Sequence, residues 1–207
     1  MKPRQTILVL ALAGLATVAA GNPLPGCGWE DCPETVLGLA GPGMEPIIAS
    51  LAMAPDPVLE GIRSLRLVHN APGWAPRAYL AYVDGVGNGD RIMVEIARYA
   101  AAPGIAPCRI RGRYNDSLPD LDVNDGDAGG PDDPGGLGWQ WVSYTWEMAG
   151  GHSGLVIDVE MTGEAGDTVW LDMMIVVPPG DCTLAIPCYT VVPAQGRTYS
   201  AVKDLFR

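Results

Sequence analysis

The feature that most constrains this chain is punctuation. Glycine (27) and proline (19) recur so often through its 207 residues that apolar stretches stay short, with turn residues between them. A helix of ordinary length needs an unbroken amphipathic run, and no convincing one is present. Short runs between turn signals suit the strands of an all-β sandwich or barrel. The expected strands are "PIIASLAM" (46–53), "SLRLVHN" (64–70), "RAYLAYVDGV" (77–86), "RIMVEIARYA" (91–100), "CRIRGRY" (108–114), "WQWVSYTWEM" (139–148), "GLVIDVEM" (154–161) and "TVWLDMMIVV" (168–177). In the fourth, Ile92, Val94 and Ile96 alternate with Met93, Glu95 and Ala97, the period of a half-buried strand. "DGVGNGD" and "GHSG" supply hairpin chemistry, because Gly and Asn accept positive φ at little cost.

Two stretches stand outside the pattern. "NDSLPDLDVNDGDAGGPDDPGGLG" (115–138) is acidic, rich in Gly and Pro and nearly free of large apolar groups, so it reads as a long exposed loop. Asp120, Asp122 and Asn124 fall at alternate positions there, but an EF-hand register and its closing glutamate are missing. Beyond Pro179 a C-terminal extension (180–207) is expected, ending in "SAVKDLFR". Its Val202, Leu205 and Phe206 share one side at helical spacing. The tail is read either as a sorting tag or as a turn covering an apolar patch.

At the other end, "MKPR" followed by "TILVLALAGLATV" and the small residues before Gly21 reads as a signal peptide, residues 1–20, cleaved after Ala20. The expectation is a secreted or cell-surface protein with one domain at 21–179 and no membrane insertion. Removing Lys2 and Arg4 leaves 11 basic against 24 acidic side chains, a net charge near −13. That balance argues against nucleic acid and anionic membranes as partners. In an oxidising compartment, Cys27–Cys32 and Cys182–Cys188 are the simplest disulfides, with Cys108 left over.

A sharper signal comes from four fragments in order. "NPLPGCGWEDC" (22–32) is similar to the "N-x-L-x-N-G-x-F-E-x-G" opening of jelly-roll carbohydrate-binding modules with the galactose-binding-like fold. "GIRSLRLVHN" (61–70) matches their "G-x-x-S-L-x-V" segment, and "GWQWVSYTWEM" and "TVWLDMMIVV" match their closing strands. Trp29 stands where the family has Phe, Cys27 where it has Asn, and Met173 where it has a second Asp. The resemblance implies a jelly-roll β-sandwich that binds carbohydrate, polysaccharide or glycan, without catalysis. It also implies a structural Ca²⁺ where the opening segment meets the last strand.

Carried onto this chain, the metal residues are Glu30 and Asp172 through their carboxylates, with oxygens near Gly28, Arg63 and Ser64. Charge chemistry points the same way, since Ca²⁺ takes six to eight hard oxygens and two convergent carboxylates otherwise repel. The competing account is a solvated Glu30 and an Asp172 bonded to backbone amides, because a buried carboxylate needs partners. The expected sugar-binding residues are Trp74, Tyr82, Trp139 and Trp141, since a flat indole or phenol stacks on the C–H face of a sugar ring. Core packing is the alternative role for each of them. Trp139 and Trp141 share parity on their strand, opposite Val142, Tyr144 and Trp146, which suit the core.

No catalytic constellation stands out. Asp158 and Glu160 share a strand face and are read as solvated rather than as a hydrolytic pair. His152 and Ser153 are adjacent, and neighbours in a hairpin seldom meet as base and nucleophile. A non-catalytic sugar binder is therefore expected, with a structural or adhesive surface protein on the same fold as the rival reading.

Overall fold

The computed structural model describes residues 26–193 apart from 33, 103–106, 117–119 and 133–134. The expected signal segment and the tail "SAVKDLFR" lie outside the described residues. Among these residues thirteen strands follow in order: β1 (Gly26–Cys27), β2 (Gly38–Ala40), β3 (Ile47–Ala52), β4 (Ser64–His69), β5 (Arg77–Asp84), β6 (Arg91–Ala100), β7 (Cys108–Tyr114), β8 (Gly126–Gly129), β9 (Gly138–Glu147), β10 (Gly154–Met161), β11 (Thr168–Val177), β12 (Thr183–Ile186) and β13 (Tyr189–Pro193). Among the described residues there is no helix. The strands predicted from sequence all form.

The strands make a two-layer, all-β jelly-roll sandwich. The six-stranded sheet runs β3-β4-β11-β6-β9 with β1 against β11, and the seven-stranded sheet runs β13-β12-β5-β10-β7-β8 with β2 against β5. Every pairing is antiparallel. From β4 onward the chain repeatedly crosses from one sheet to the other, so sequence neighbours face each other across the core.

Alternation decides which side chains fill that core. Leu65, Leu67, Ile92, Val94, Ile96, Val142, Leu171 and Val176 come from one sheet; Leu80, Val83, Leu155, Ile157 and Val159 come from the other. Each such side chain contributes about 1.5–3 kcal/mol of burial. Trp146 crosses the gap toward β7, where Gly112 leaves room: a Cβ there would run into the indole. The Trp146 Nε1 donates to the Gly129 carbonyl at 3.1 Å.

Three expectations are corrected. The acidic segment 115–138 is not all exposed loop: β8 pairs with β7 within it, and Leu121 packs on the neighbouring sheet. The sandwich also continues past residue 179, because β12 pairs with β5 and buries Cys182, Leu184 and Ile186. The residues predicted as a loose extension thus begin with a hairpin of the fold.

The third correction concerns disulfides. Cys182 is a buried thiol whose Sγ lies 3.6 Å from the Gly85 carbonyl, and Cys108 is a second buried thiol. Strand alternation turns Cys182 inward with Leu184, while Cys188 sits on the turn after β12 and reaches the opening strand. There its sulfur lies within bonding distance of both Cys27 and Cys32, whose own sulfurs are 3.3 Å apart and unbonded. One sulfur forms one disulfide, so the trio amounts to one bond and one thiol. The Cα separation is 5.8 Å for Cys27–Cys188 and 4.1 Å for Cys32–Cys188, and the first lies in the usual disulfide range.

Candidate functional site

Glu30 and Asp172 meet on one loop, residues 53–63 between β3 and β4. Each is aimed by a neighbour in the left-handed region, Trp29 at φ 56° and Met173 at φ 51°. Trp29 is anchored by its buried indole, which donates to the Thr35 carbonyl at 2.8 Å. Met173 lies where the β11 register with β6 shifts, between Asp172 and Ile175. A bulge of this kind re-aims side chains.

The loop answers both carboxylates with amides. Leu59 and Glu60 donate to Asp172 Oδ2 at 2.9 and 3.2 Å, and the Met173 amide donates to Oδ1 at 2.8 Å. Ile62 and Arg63 donate to Glu30 Oε1 at 2.8 and 3.0 Å, and the Arg63 guanidinium donates to the Glu30 carbonyl at 2.6 Å. Gly61 at φ +73° lets the loop turn there, since any Cβ would collide with the Glu30 carboxylate. Burial pushes the Asp172 carboxyl upward, the three amides pull it back, and the charge on Glu30 raises it further. The Ser64 hydroxyl, expected near the metal, donates to the Pro57 carbonyl at 2.6 Å, and Gly28 sits beside Asp172 Oδ1.

This node fits a hard cation in its chemistry. Its two carboxylates supply hard oxygens of the kind Ca²⁺ takes, the charge on Glu30 raises Asp172, and among the described residues no amide donates to Glu30 Oε2. The amide bonds to Asp172 match the competing expectation. The two are compatible, because each carboxylate oxygen has more than one lone pair.

The four expected aromatic residues do not share one surface. Trp139 and Trp141 lie on the outer face of the six-stranded sheet, with Trp141 47% exposed. Tyr82 is 1% exposed, on the outer face of the other sheet, where its hydroxyl donates to the Asn115 carbonyl at 3.2 Å. Trp74 is 66% exposed in the turn before β5. Two strands in separate layers cannot present to one groove, and the sequence alone does not assign layers.

Two aromatic residues not predicted complete the surface around Trp139. Trp170 on β11 is opposite Tyr99 on β6, which is opposite Trp139 on β9. The rings meet edge to face, at centroid distances of 5.7 and 5.4 Å. Arg66 continues the row on β4. Parity was the signal available: Tyr99 alternates with Ile96 and Arg98, and Trp170 with Val169 and Leu171, so both point outward. At the other end of the same face, an open groove of about 490 Å³ is lined by Arg91, Met93, Thr145, Glu147 and Val177.

The outer face of the seven-stranded sheet is polar but covered. Asp158, expected to be solvated, is fully buried, and Arg113 donates to its Oδ2 at 2.6 Å. Burial lifts the Asp158 carboxyl to about 6 against the pull of Arg113. The guanidinium lies over the Tyr79 ring, 5.0 Å from its centroid, and Tyr79 donates to Asp122 at 2.5 Å. Leu121 packs with Tyr79, Tyr82 and Val156, so the acidic segment closes over this face. Glu160 is half-buried, 4.0 Å from Arg77. Asp158 is thus held in a buried ion pair with Arg113, closed off from the solvent a hydrolytic carboxylate pair would need.

His152 and Ser153 converge on Asp116. The imidazole Nδ1 is 2.9 Å from Oδ2, while the Ser153 amide and hydroxyl donate to Oδ1 at 2.6 and 3.2 Å. Tyr114 stacks on the imidazole at 4.2 Å. The amide of Ser153, then His152, hold Asp116 below the usual carboxylate range. The serine hydroxyl is spent on the carboxylate rather than the imidazole, which gives a latch between hairpin and loop.

No protein-family model matches the chain, and no curated protein matches it in sequence. Among solved structures it is similar to the C-terminal family 22 carbohydrate-binding module of Clostridium thermocellum Xyn10B, with TM-score 0.47 and 13% identity, covering 77% of this chain and 94% of that one. It is also similar to the CBM22-1 xylan-binding domain of Paenibacillus barcinonensis Xyn10C, with TM-score 0.43 and 14% identity, covering 69% and 94%. A third likeness is to the enzymatically active domain of tailspike protein 4 from bacteriophage CBA120, with TM-score 0.47 and 12% identity, covering 67% of this chain and 19% of that one. The chain thus spans about a fifth of the tailspike structure.

Proposed function

We propose that this chain is an exported, non-catalytic carbohydrate-binding sandwich. The observation that carries the reading is the row Trp170–Tyr99–Trp139 on one open face, with the exposed Trp141 beside it. Aromatic faces held rigid by edge-to-face packing give a sugar ring large contact area at low entropic cost. Along β9 the outward residues run from Trp139 through Trp141, Ser143 and Thr145 to Glu147, about 27 Å at the usual strand rise. A saccharide chain lying along β9 would stack at the aromatic end and hydrogen-bond at the groove end, where Arg91 and Glu147 pair at 3.1 Å.

Glu30 and Asp172 would hold Ca²⁺ with backbone or hydroxyl oxygens around them, and the cation would tie the opening turn to β11. Export with cleavage after Ala20 belongs to the same reading. The rival, an adhesive or structural surface protein without a sugar site, draws support from the buried Tyr82 and the closed second face. A glycan array with and without chelator separates the two. Retention of a polysaccharide by the wild type, reduced in Trp141→Ala, is the expected result; no retained glycan under either condition favours the rival.

A further inference from the structure

The sulfur trio is a cluster that sugar binding does not use. Cys27 ends β1, Cys32 returns to it after the turn at Trp29, and Cys188 arrives from the other sheet on the turn between β12 and β13. Their three sulfurs all lie within 4.8 Å of one another. We propose that Cys27, Cys32 and Cys188 form a thiol–disulfide exchange site that takes small-molecule disulfides as substrate.

The chemistry follows from three sulfurs and one bond. With Cys27–Cys188 closed, the Cys32 thiolate attacks the Cys188 sulfur; the Cys32–Cys188 bond forms as the Cys27–Cys188 bond breaks, and Cys27 leaves as thiolate. No electrons enter or leave, and the proton lost by Cys32 is regained at Cys27. Either pairing still joins the opening segment, residues 27–32, to the turn between β12 and β13, so migration of the bond keeps the two tied. Of the two cysteines that exchange the bond, Cys32 is half-buried, like Cys188, and Cys27 is buried. The outward reaction is therefore at Cys32: its thiolate attacks a small disulfide, forms a mixed disulfide, and expels one small thiolate.

The remaining thiols do not compete. Burial pushes the Cys182 thiol up to about 11, and the nearby acidic Asp90, Asp181 and Asp84 add to it, so it stays protonated. Cys108 is buried between the sheets.

The test is mapping of native protein quenched in acid, alkylated and digested. The expected wild-type result is no label on Cys188 and one label per chain shared between Cys27 and Cys32. Either disulfide isomer, isolated in acid and returned to neutral pH, should regenerate the mixture. Oxidised glutathione should add once, at Cys32. Cys27→Ser and Cys32→Ser should each leave a closed bond to Cys188 and lose the adduct. A single fixed pairing, a Cys27–Cys32 or Cys182–Cys188 bond, isomers that fail to interconvert, or an adduct confined to Cys108 or Cys182 overturns the proposal.

Discussion

Glu30 and Asp172 grip neighbouring amides of the same loop: Asp172 takes those of Leu59 and Glu60, and Glu30 takes those of Ile62 and Arg63. One carboxylate comes from the opening turn and the other from β11, so the loop is held by two segments far apart in the sequence. Gly61 lies between the two pairs of amides, at the point where the loop passes closest to Glu30.

If Ca²⁺ bridges these carboxylates, chelation lowers the melting temperature, because a ligand bound only to the folded state stabilises it, by about 2.7 kcal/mol at a hundredfold excess over Kd. Glu30→Gln and Asp172→Asn should each remove most of the chelator response. Calorimetry with and without EDTA, beside elemental analysis, checks this. An identical melting curve with no bound metal would leave the amides as the whole support of Asp172.

Trp141→Ala should weaken polysaccharide binding by about 1–3 kcal/mol, the usual loss of an aromatic anchor, and leave the melting temperature nearly unchanged. Trp141 is exposed, whereas Trp139 is wedged against Tyr99. Trp139→Ala should therefore cost both binding and stability. Affinity electrophoresis and thermal melts on the two variants give the comparison; unchanged binding in both removes the aromatic row from the site.

Strand parity made much of this surface readable. Ile92, Val94 and Ile96 face inward as expected, and so do Val142 and Trp146, which leaves Trp139 and Trp141 outside. Parity says which side of a strand a residue faces, but not which sheet owns the strand. Tyr82 falls among the expected sugar-binding residues with Trp141 for that reason, although β5 and β9 belong to opposite layers. The cysteines failed on a related ground. Local pairing assumes the nearest thiol is the nearest in sequence, whereas the β12–β5 register carries Cys188 to Cys27 across the whole chain. Asp158 looked solvated because nothing in a Gly/Pro-rich acidic segment announces that Leu121 will fold back as a lid.

The buried bridge predicts an unusual pH response. Asp158 titrates near 6 in the folded chain against an ordinary 3.8, so between those values the folded state holds a proton that the unfolded state has released. The contribution of this group is complete below about pH 4 and is lost as pH rises through 6. The loss is about 3 kcal/mol. Asp158→Asn carries no such titration, whatever constant cost it incurs by leaving Arg113 without its anion. The stability of the wild type minus that of Asp158→Asn, from urea melts at a series of pH values, should fall across this window. A flat difference would mean Asp158 stays ionised throughout.

The segment beside that bridge supplies the last test. Leu121 packs on Tyr79, Tyr82 and Val156, and Asp122 accepts the Tyr79 hydroxyl, so the segment is fastened beside the Arg113–Asp158 pair. Asp158 is raised chiefly by burial, and admitting water relieves that cause while leaving Arg113 in place. Leu121→Ser should therefore bring the Asp158 carboxyl down from about 6 toward its ordinary value. It should also cost about 1–2 kcal/mol of lost apolar burial. Carboxyl-carbon NMR titration of Asp158 in the two proteins measures the shift directly. If Leu121→Ser loses stability while Asp158 still titrates near 6, the sheet alone excludes water from the pair and the acidic segment only rests on top.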